Sequence, residues 1–169
     1  MPLTPFHLGP GLLFGLLLFR YIDFPTFLVA SVIVDMEPIL ALAFLNYPLH
    51  GFFHSFLGGT LAAFLLAATM SRVRESFSPL LSFFKLDQKF SFKSILSASL
   101  SGIYIHILFD SRMHPDVRPF YPLDLNPFLS KSILVGLEID MLCLWCFMGG
   151  VVIYVIRLFL LHKEKKVTR

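Results

Sequence analysis

The chain has 169 residues, enough for one domain, with 56% apolar residues, 15% charged residues, twenty Phe and a mean hydropathy of +0.76. Soluble domains carry about 25% charged residues, so water alone cannot solvate such a surface, and a soluble globular enzyme and a disordered chain are both excluded. The formal net charge of +3 matters less than where the charges fall, and two cysteines build no disulfide framework.

The N-terminal MPLTPFHLGPG lacks a basic n-region and a small-residue cleavage site, and it does not read as a signal peptide. Five stretches approach the ~20 residues that a spanning helix needs, at about 5–22, 24–45, 50–70, 94–113 and 132–161. In the first, Gly9 and Pro10 place the start of regular helix at Pro10, just after His7. The second holds Asp35 and Glu37, and the following Pro38 is expected to kink it there. The third opens on His50 and His54, which as i and i+4 residues share a helix face. The fourth carries the row Ser94, Ala98, Gly102, His106, Asp110, a small-residue stripe ending in two metal-ligand types. The fifth has Glu138 and Asp140 near its start, either as helix-start charges or as further site members, and a basic tail.

Between the third and fourth spans lies the basic segment 71–93, whose Pro79–Leu86 portion reads as a short interfacial helix. The loop 114–131 is rich in Pro and aromatic residues and cannot be regular. Cys143 and Cys146 read as small buried hydrophobes, and the Gly-Gly pairs at 58–59 and 149–150 as helix-packing positions. The whole chain, 1–169, reads as a single membrane-embedded domain.

Five crossings put eleven Lys and Arg on one side, from Arg20 through the 71–93 segment to Arg157 and the tail. The other side holds only Arg112, Arg118 and Lys131. Cytoplasmic loops carry the excess of Lys and Arg, so the expected fold is an all-α bundle of about five transmembrane helices with the N-terminus outside and the C-terminus cytoplasmic. The acids and histidines run the opposite way: His7, Asp35, Glu37, His50, His54, His106 and Asp110 all fall toward the outer ends of spans. His162 reads instead as an interfacial side chain, while His114 reads either as interfacial or, with Asp116, as a further member of the site.

Ionisable groups inside a membrane are expensive and face the bundle interior or a wet cavity. Imidazole with carboxylate is the ligand mixture of zinc, and is usable by manganese or iron. These seven residues exceed the needs of one tetrahedral ion, so one to three divalent transition-metal ions are expected, zinc first.

The segments TPFHLGPGLLFG, VDMEP, HGFFHS and IYIHILFDSRMHPDVRPFYP, in that order over residues 4–122, resemble the inner-membrane-associated metal-dependent hydrolases, a family distantly similar to zinc-dependent phospholipase C. The resemblance implies metal ligands at His7, Asp35, Glu37, His54, His106 and Asp110. Here Val34 stands where that family shows Pro, Glu37 for its second Asp and Pro38 for its His, while His50 and Phe53 stand for its Arg and Thr. The expected function is a multi-pass hydrolase of the inner (cytoplasmic) membrane with its site facing outside, acting on a phosphoester of a lipid or membrane-surface substrate. In it His54, His106 and Asp110 hold one ion, and Asp35 and His7 with Glu37 or His50 another. Asp35 or Glu37 orients water, and Arg118 meets the phosphate. No nucleic acid is expected as a partner. The alternatives are a transition-metal-ion transporter, which would need polar stepping-stones through both halves of the bilayer, and a non-catalytic scaffold held together by the polar cluster.

Overall fold

The computed structural model describes residues 4–44 and 48–167, and every regular element among them is helical. The helices are α1 (Leu8–Leu17), α2 (Phe24–Ala30), α3 (Met36–Ala43), α4 (Phe56–Val73), α5 (Ser78–Phe83), α6 (Phe92–Met113) and α7 (Val135–Val167). Among the described residues four stretches are long and apolar enough to cross a membrane: Phe24–Ala43, Phe56–Phe83, Phe92–Met113 and Val135–Glu164; Pro5–Leu17 is a shorter apolar helix. The start of the N-terminal reading (residues 1–3), the end of the second expected span and the tail's Arg169 lie outside the described residues.

Local sequence sets the boundaries. Asp23 caps α2 by accepting from the Thr26 amide at 3.2 Å and the Thr26 hydroxyl at 2.5 Å. Ser55 caps α4 by accepting from the Gly58 amide at 3.0 Å. Ser91 and Ser94 exchange reciprocal bonds at the start of α6, a capping box built from two serines.

Several boundaries differ from those the sequence suggests. Regular helix begins at Leu8 rather than Pro10, because a proline within the first turn loses no hydrogen bond. It ends at Leu17, so α1 is only about 15 Å long, half the hydrocarbon thickness. Residues 18–22 then turn the chain toward the Asp23 cap. Pro38 is not the break in the second span. It sits in the first turn of α3, while the break falls at Ser31–Asp35, where Val32 leaves helical geometry (φ −134°) and Ile33–Asp35 form a 3-10 turn. His50 and His54 do not share a helix face: α4 starts only at Phe56, and His54 closes a 3-10 turn, Phe52–His54, ahead of the extended cap residue Ser55. A short helix is present in the region expected to hold one, as α5 (Ser78–Phe83 rather than Pro79–Leu86), and it follows α4 almost directly through the turn Arg74–Phe77.

Helix α6 lies between α2 and α4, and α1 packs on α7. The small-residue stripe makes the close approach possible. A Cβ on Gly102 would lie 2.6 Å from the Cβ of Ala30, and one on Gly59 would lie 2.6 Å from Cδ1 of Ile107. Cys143 and Cys146 are free and buried, and Gly9 packs against the Cys143 backbone. Large apolar side chains such as Leu61, Phe64, Trp145 and Phe159 point outward, as lipid-facing surface does.

One end of the bundle is locked by a buried ion pair. Arg74 donates from Nε to Asp23 at 2.6 Å, both side chains essentially inaccessible, and its guanidinium lies 4.9 Å from the Phe90 ring. Gln88 closes the same corner, accepting from the Phe24 amide at 2.9 Å and donating to the Ile22 carbonyl at 3.0 Å. Arg20, Arg72 and the lysines of the 84–93 stretch flank this end in the sequence.

Gly102→Leu should lower stability by at least about 1–3 kcal/mol, the cost of overpacking a tight interface, without touching any titratable group. Thermal unfolding in detergent reads it out, and an unchanged melting temperature would show that α2 and α6 are not in close contact at Gly102.

Candidate metal centre

At the opposite end, His7, Asp35, His50, His54, His106 and Asp110 come together, each at most 7% exposed. They arrive from four places: the turn before α1, the break between α2 and α3, the turn before α4, and the last turns of α6. The ring centroids of His7 and His106 are 4.1 Å apart, those of His50 and His54 4.8 Å, and those of His54 and His106 5.5 Å.

Three of these imidazoles are fixed from behind through Nδ1. His106 Nδ1 lies 2.8 Å from the Ser31 carbonyl, His54 Nδ1 2.8 Å from Glu37 Oε2, and His50 Nδ1 3.0 Å from Asp116 Oδ1. A carbonyl or ionised carboxylate only accepts, so Nδ1 carries the proton in each ring and Nε2 presents a lone pair. All three Nε2 atoms turn toward Asp110 Oδ2, from His106 at 3.2 Å, His54 at 3.6 Å and His50 at 4.0 Å. His7 Nε2 approaches Asp110 Oδ1 at 3.2 Å, and Asp35 Oδ1 is 3.3 Å from His106 Nε2.

Proximity here does not amount to hydrogen bonding. Nε2 of His7, His54 and His106, with Asp35 Oδ2 and Asp110 Oδ1, are buried and have no hydrogen-bond partner. Each orphaned polar group costs about 1–3 kcal/mol. Five of them facing one volume form a donor set that a shared cation would satisfy. Two groups of ligand atoms meet within 4.8 Å: His7, Asp35, His106 and Asp110, and then His50, Asp110 and His114. The buried His/Asp cluster could therefore hold a metal, with Asp110 common to both groups.

The grouping differs from the expected one. His7 and Asp35 join His106 rather than forming a separate set, and His54 falls in neither group. Glu37 stands behind His54, its other carboxylate oxygen accepting from the Phe53 amide at 3.1 Å. Arg118 is not brought to the cluster: its side chain is exposed and pairs with Asp124 at 3.1 Å. Glu138 accepts from the Ser132 hydroxyl at the surface, and Asp140 is absent from both ligand groups.

Two residues enter that the sequence reading left open. His114 stacks on His50 with ring centroids 4.3 Å apart. Burial, reinforced by the neighbouring His50, pushes its imidazole down to about 4, so it is neutral at physiological pH with a lone pair free to ligate. Its spacing was the available signal, since it follows Asp110 by four residues and extends the His106–Asp110 row. Asp116 lies past the helix end, where no periodicity applies. Burial opposes its ionisation, but hydrogen bonds and charge from His50 outweigh this and hold its carboxyl below the usual range.

No family model, curated protein or solved structure matches the chain. Fold and cluster together define a helical protein with four membrane-length apolar stretches and a buried His/Asp group able to hold a metal ion.

Purified protein titrated with zinc in a chelator-buffered series should bind it and lose affinity below about pH 6, as imidazole ligands take protons. Asp116→Asn, which weakens the support behind His50, should raise the dissociation constant by about 10–100-fold. Zinc affinity indifferent both to pH and to Asp116 would place the ion elsewhere.

Proposed function

We propose that the protein is a membrane-bound metal-dependent hydrolase acting on a phosphoester of a lipid or membrane-surface substrate, consistent with its resemblance to the inner-membrane-associated metal-dependent hydrolases. The observation that carries this reading is the set of orphaned Nε2 and carboxylate atoms converging around Asp110, held by outward Nδ1 contacts. The ligands in this reading come from two groups that share Asp110: His7, Asp35, His106 and Asp110, and His50, Asp110 and His114. Zinc suits this mixture best. Bound divalent ions would supply Lewis acidity to a phosphoryl oxygen and ease deprotonation of water at neutral pH.

The chain's own groups divide the remaining work. Nε2 of His54 faces the cluster while Nδ1 is held by Glu37, the arrangement of a base with its orienting carboxylate, so His54 takes and returns a proton at Nε2. Glu37 acts through His54, fixing its tautomer. Arg118, committed to Asp124 at the surface, has no part in this scheme. Transport is the weaker reading. Between the cluster and the Asp23–Arg74 pair the buried layer is Ala30, Ala63, Ala98 and Ile103 with Ser99, which offers few stepping-stones for an ion.

In the membrane the cluster end faces outside, the N-terminus lies on that side, and the α1–α2 turn, the 71–93 segment and the tail are cytoplasmic. The support is the eleven-to-three distribution of Lys and Arg, with α1 as a short fifth crossing. A reporter active only outside the cytoplasm should work when fused within 114–130 and fail after Arg169; the reverse pattern would invert the topology.

Asp110→Asn keeps size and hydrogen-bonding capacity but removes the charge shared by both ligand groups. It should abolish phosphoester hydrolysis and lower zinc content while the protein still inserts and melts cooperatively. Glu37→Gln should retain zinc and lose about 10²–10⁴-fold in kcat, the usual worth of a positioned acid–base group. Full turnover in Asp110→Asn on the substrate found by a phosphoester screen would remove this assignment, and metal-free wild-type protein purified without chelator would favour a scaffold.

A further inference from the structure

Beside the cluster, on the lipid-facing side, an apolar cavity of about 520 Å³ opens between α4 and the α2–α3 segment. One wall is Ile33, Val34, Met36 and Leu40, the other Ala62, Leu65 and Leu66 of α4. Two polar side chains line it. Thr69 is already satisfied, its hydroxyl donating to the Leu65 carbonyl at 2.9 Å. Glu37 is the other, and it is also the residue bonded to His54 of the cluster. The cavity is thus apolar along its length and meets charge only where it touches the candidate metal centre.

Its dimensions fit one kind of occupant. Its α4 lining runs from Ala62 to Thr69, an advance of about 10 Å, roughly two-thirds of the ~15 Å depth of one leaflet's hydrocarbon. The volume lies within the about 300–1,000 Å³ of ligand sites generally. Partly exposed flanking residues, Met36 at 48%, Leu40 at 50% and Leu65 at 59%, leave the groove open sideways to lipid, so a chain could enter without leaving the bilayer.

We propose that this groove holds one hydrocarbon chain of the substrate, and that the substrate is a membrane lipid carrying its phosphoester at the headgroup end, presented to the Asp110 cluster. The inference rests on the hydrolase reading and narrows its substrate from membrane-surface phosphoesters in general to lipids. Polarity orients the molecule: the apolar tail runs along α4, and the head goes to the end where Glu37 and His54 border the cluster, where a bound cation would offset the Glu37 carboxylate and pair with the phosphoester. Chain binding also withdraws the reacting phosphoester from bulk water by seating it below the headgroup plane.

The test uses metal-loaded protein in phosphatidylcholine vesicles containing a long-chain alkylphosphonate with a diazirine in its chain, and separately the alcohol of the same chain. The phosphonate cannot be hydrolysed, so labelling reports binding alone. It should label the peptides holding Met36–Leu40 and Ala62–Leu66 in preference to the outward face of α7, and the alcohol should not. Ala62→Trp, which fills the groove, should lose this labelling with zinc content unchanged. Leu61→Trp, on the neighbouring exposed face of α4, should keep it. Leu65→Trp serves as a second groove variant if Ala62→Trp fails to insert. Equal labelling by both probes, or labelling that survives both groove variants, would overturn the proposal and leave a groove filled by bulk lipid. Turnover of tail-less p-nitrophenyl phosphate separates the two readings. If wild type and Ala62→Trp cleave it alike and the groove is never labelled, the hydrolase stands and the chain site falls. If the groove is labelled but no phosphoester is cleaved, the binding site stands and the hydrolase falls.

Discussion

The carboxylate of Asp110 is the group around which the outer end of the molecule is organised. It sits in the last turns of a bilayer-length helix, 2% exposed, where an uncompensated charge costs several kcal/mol. Four imidazoles, from two other segments and from its own helix, surround it, yet their geometry supplies few hydrogen bonds. Protonating several rings at once would gather like charges in one small volume and exchange one penalty for another. A cation shared among neutral rings and carboxylates removes both costs. Every neighbouring position follows from that requirement, including the Nδ1 partners of His50, His54 and His106, which keep the rings in the tautomer that turns Nε2 inward.

The two ends of the bundle solve the buried-charge problem differently. At the basic end Asp23 meets a guanidinium directly, with the Thr26 amide and hydroxyl completing the carboxylate's contacts. That pair also ties the end of α4 to the start of α2, and Gln88 ties the stretch before α6 to the same place. At the cluster end, among the described residues, no Arg or Lys pairs with the cluster's carboxylates; Arg118 is turned outward to Asp124. A closed ion pair suits a structural joint, whereas a cluster rich in lone pairs, its imidazoles held from behind by fixed acceptors, suits an exchangeable cation. Holding α2, α4 and α6 together at one end allows their other ends to be irregular without loss of register.

Much of this was legible in the sequence because the bilayer is a demanding solvent. Apolar length identified membrane-spanning stretches, and the i,i+4 row Ala98, Gly102, His106, Asp110 identified the inward face of α6, which is buried at all four positions. What periodicity could not reveal is where helices stop. His50 and His54 were read onto a helix face because their spacing permits it, but the Ser55 cap starts α4 only after them, and a loop brings their rings together instead. The break of the second span was assigned to Pro38, the strongest local breaker, although a proline in a first turn disrupts nothing; Ser31–Asp35 unwinds without any Pro or Gly. Asp116 lies past a helix end, where partners are set by tertiary contact alone.

The departures from helix are concentrated at the cluster, and this follows from backbone chemistry. Within hydrocarbon a peptide group left unpaired costs several kcal/mol, so non-helical backbone is tolerated only where protein or a cavity satisfies it. Here the freed groups are put to use. The Ser31 carbonyl, at the end of α2, receives His106 Nδ1, and the Phe53 amide, in the turn before α4, binds Glu37. Ser55 spans the same turn, donating to the Phe52 carbonyl at 2.7 Å while capping α4, and the Phe56 amide donates to the Pro119 carbonyl at 2.9 Å, tying α4 to the outer loop. An unbroken second or third span would have kept these carbonyls and amides within its own ladder, leaving His106 and Glu37 without partners and His54 without a fixed tautomer. The breaks are therefore part of the site, because they release the backbone groups that hold its side chains in place.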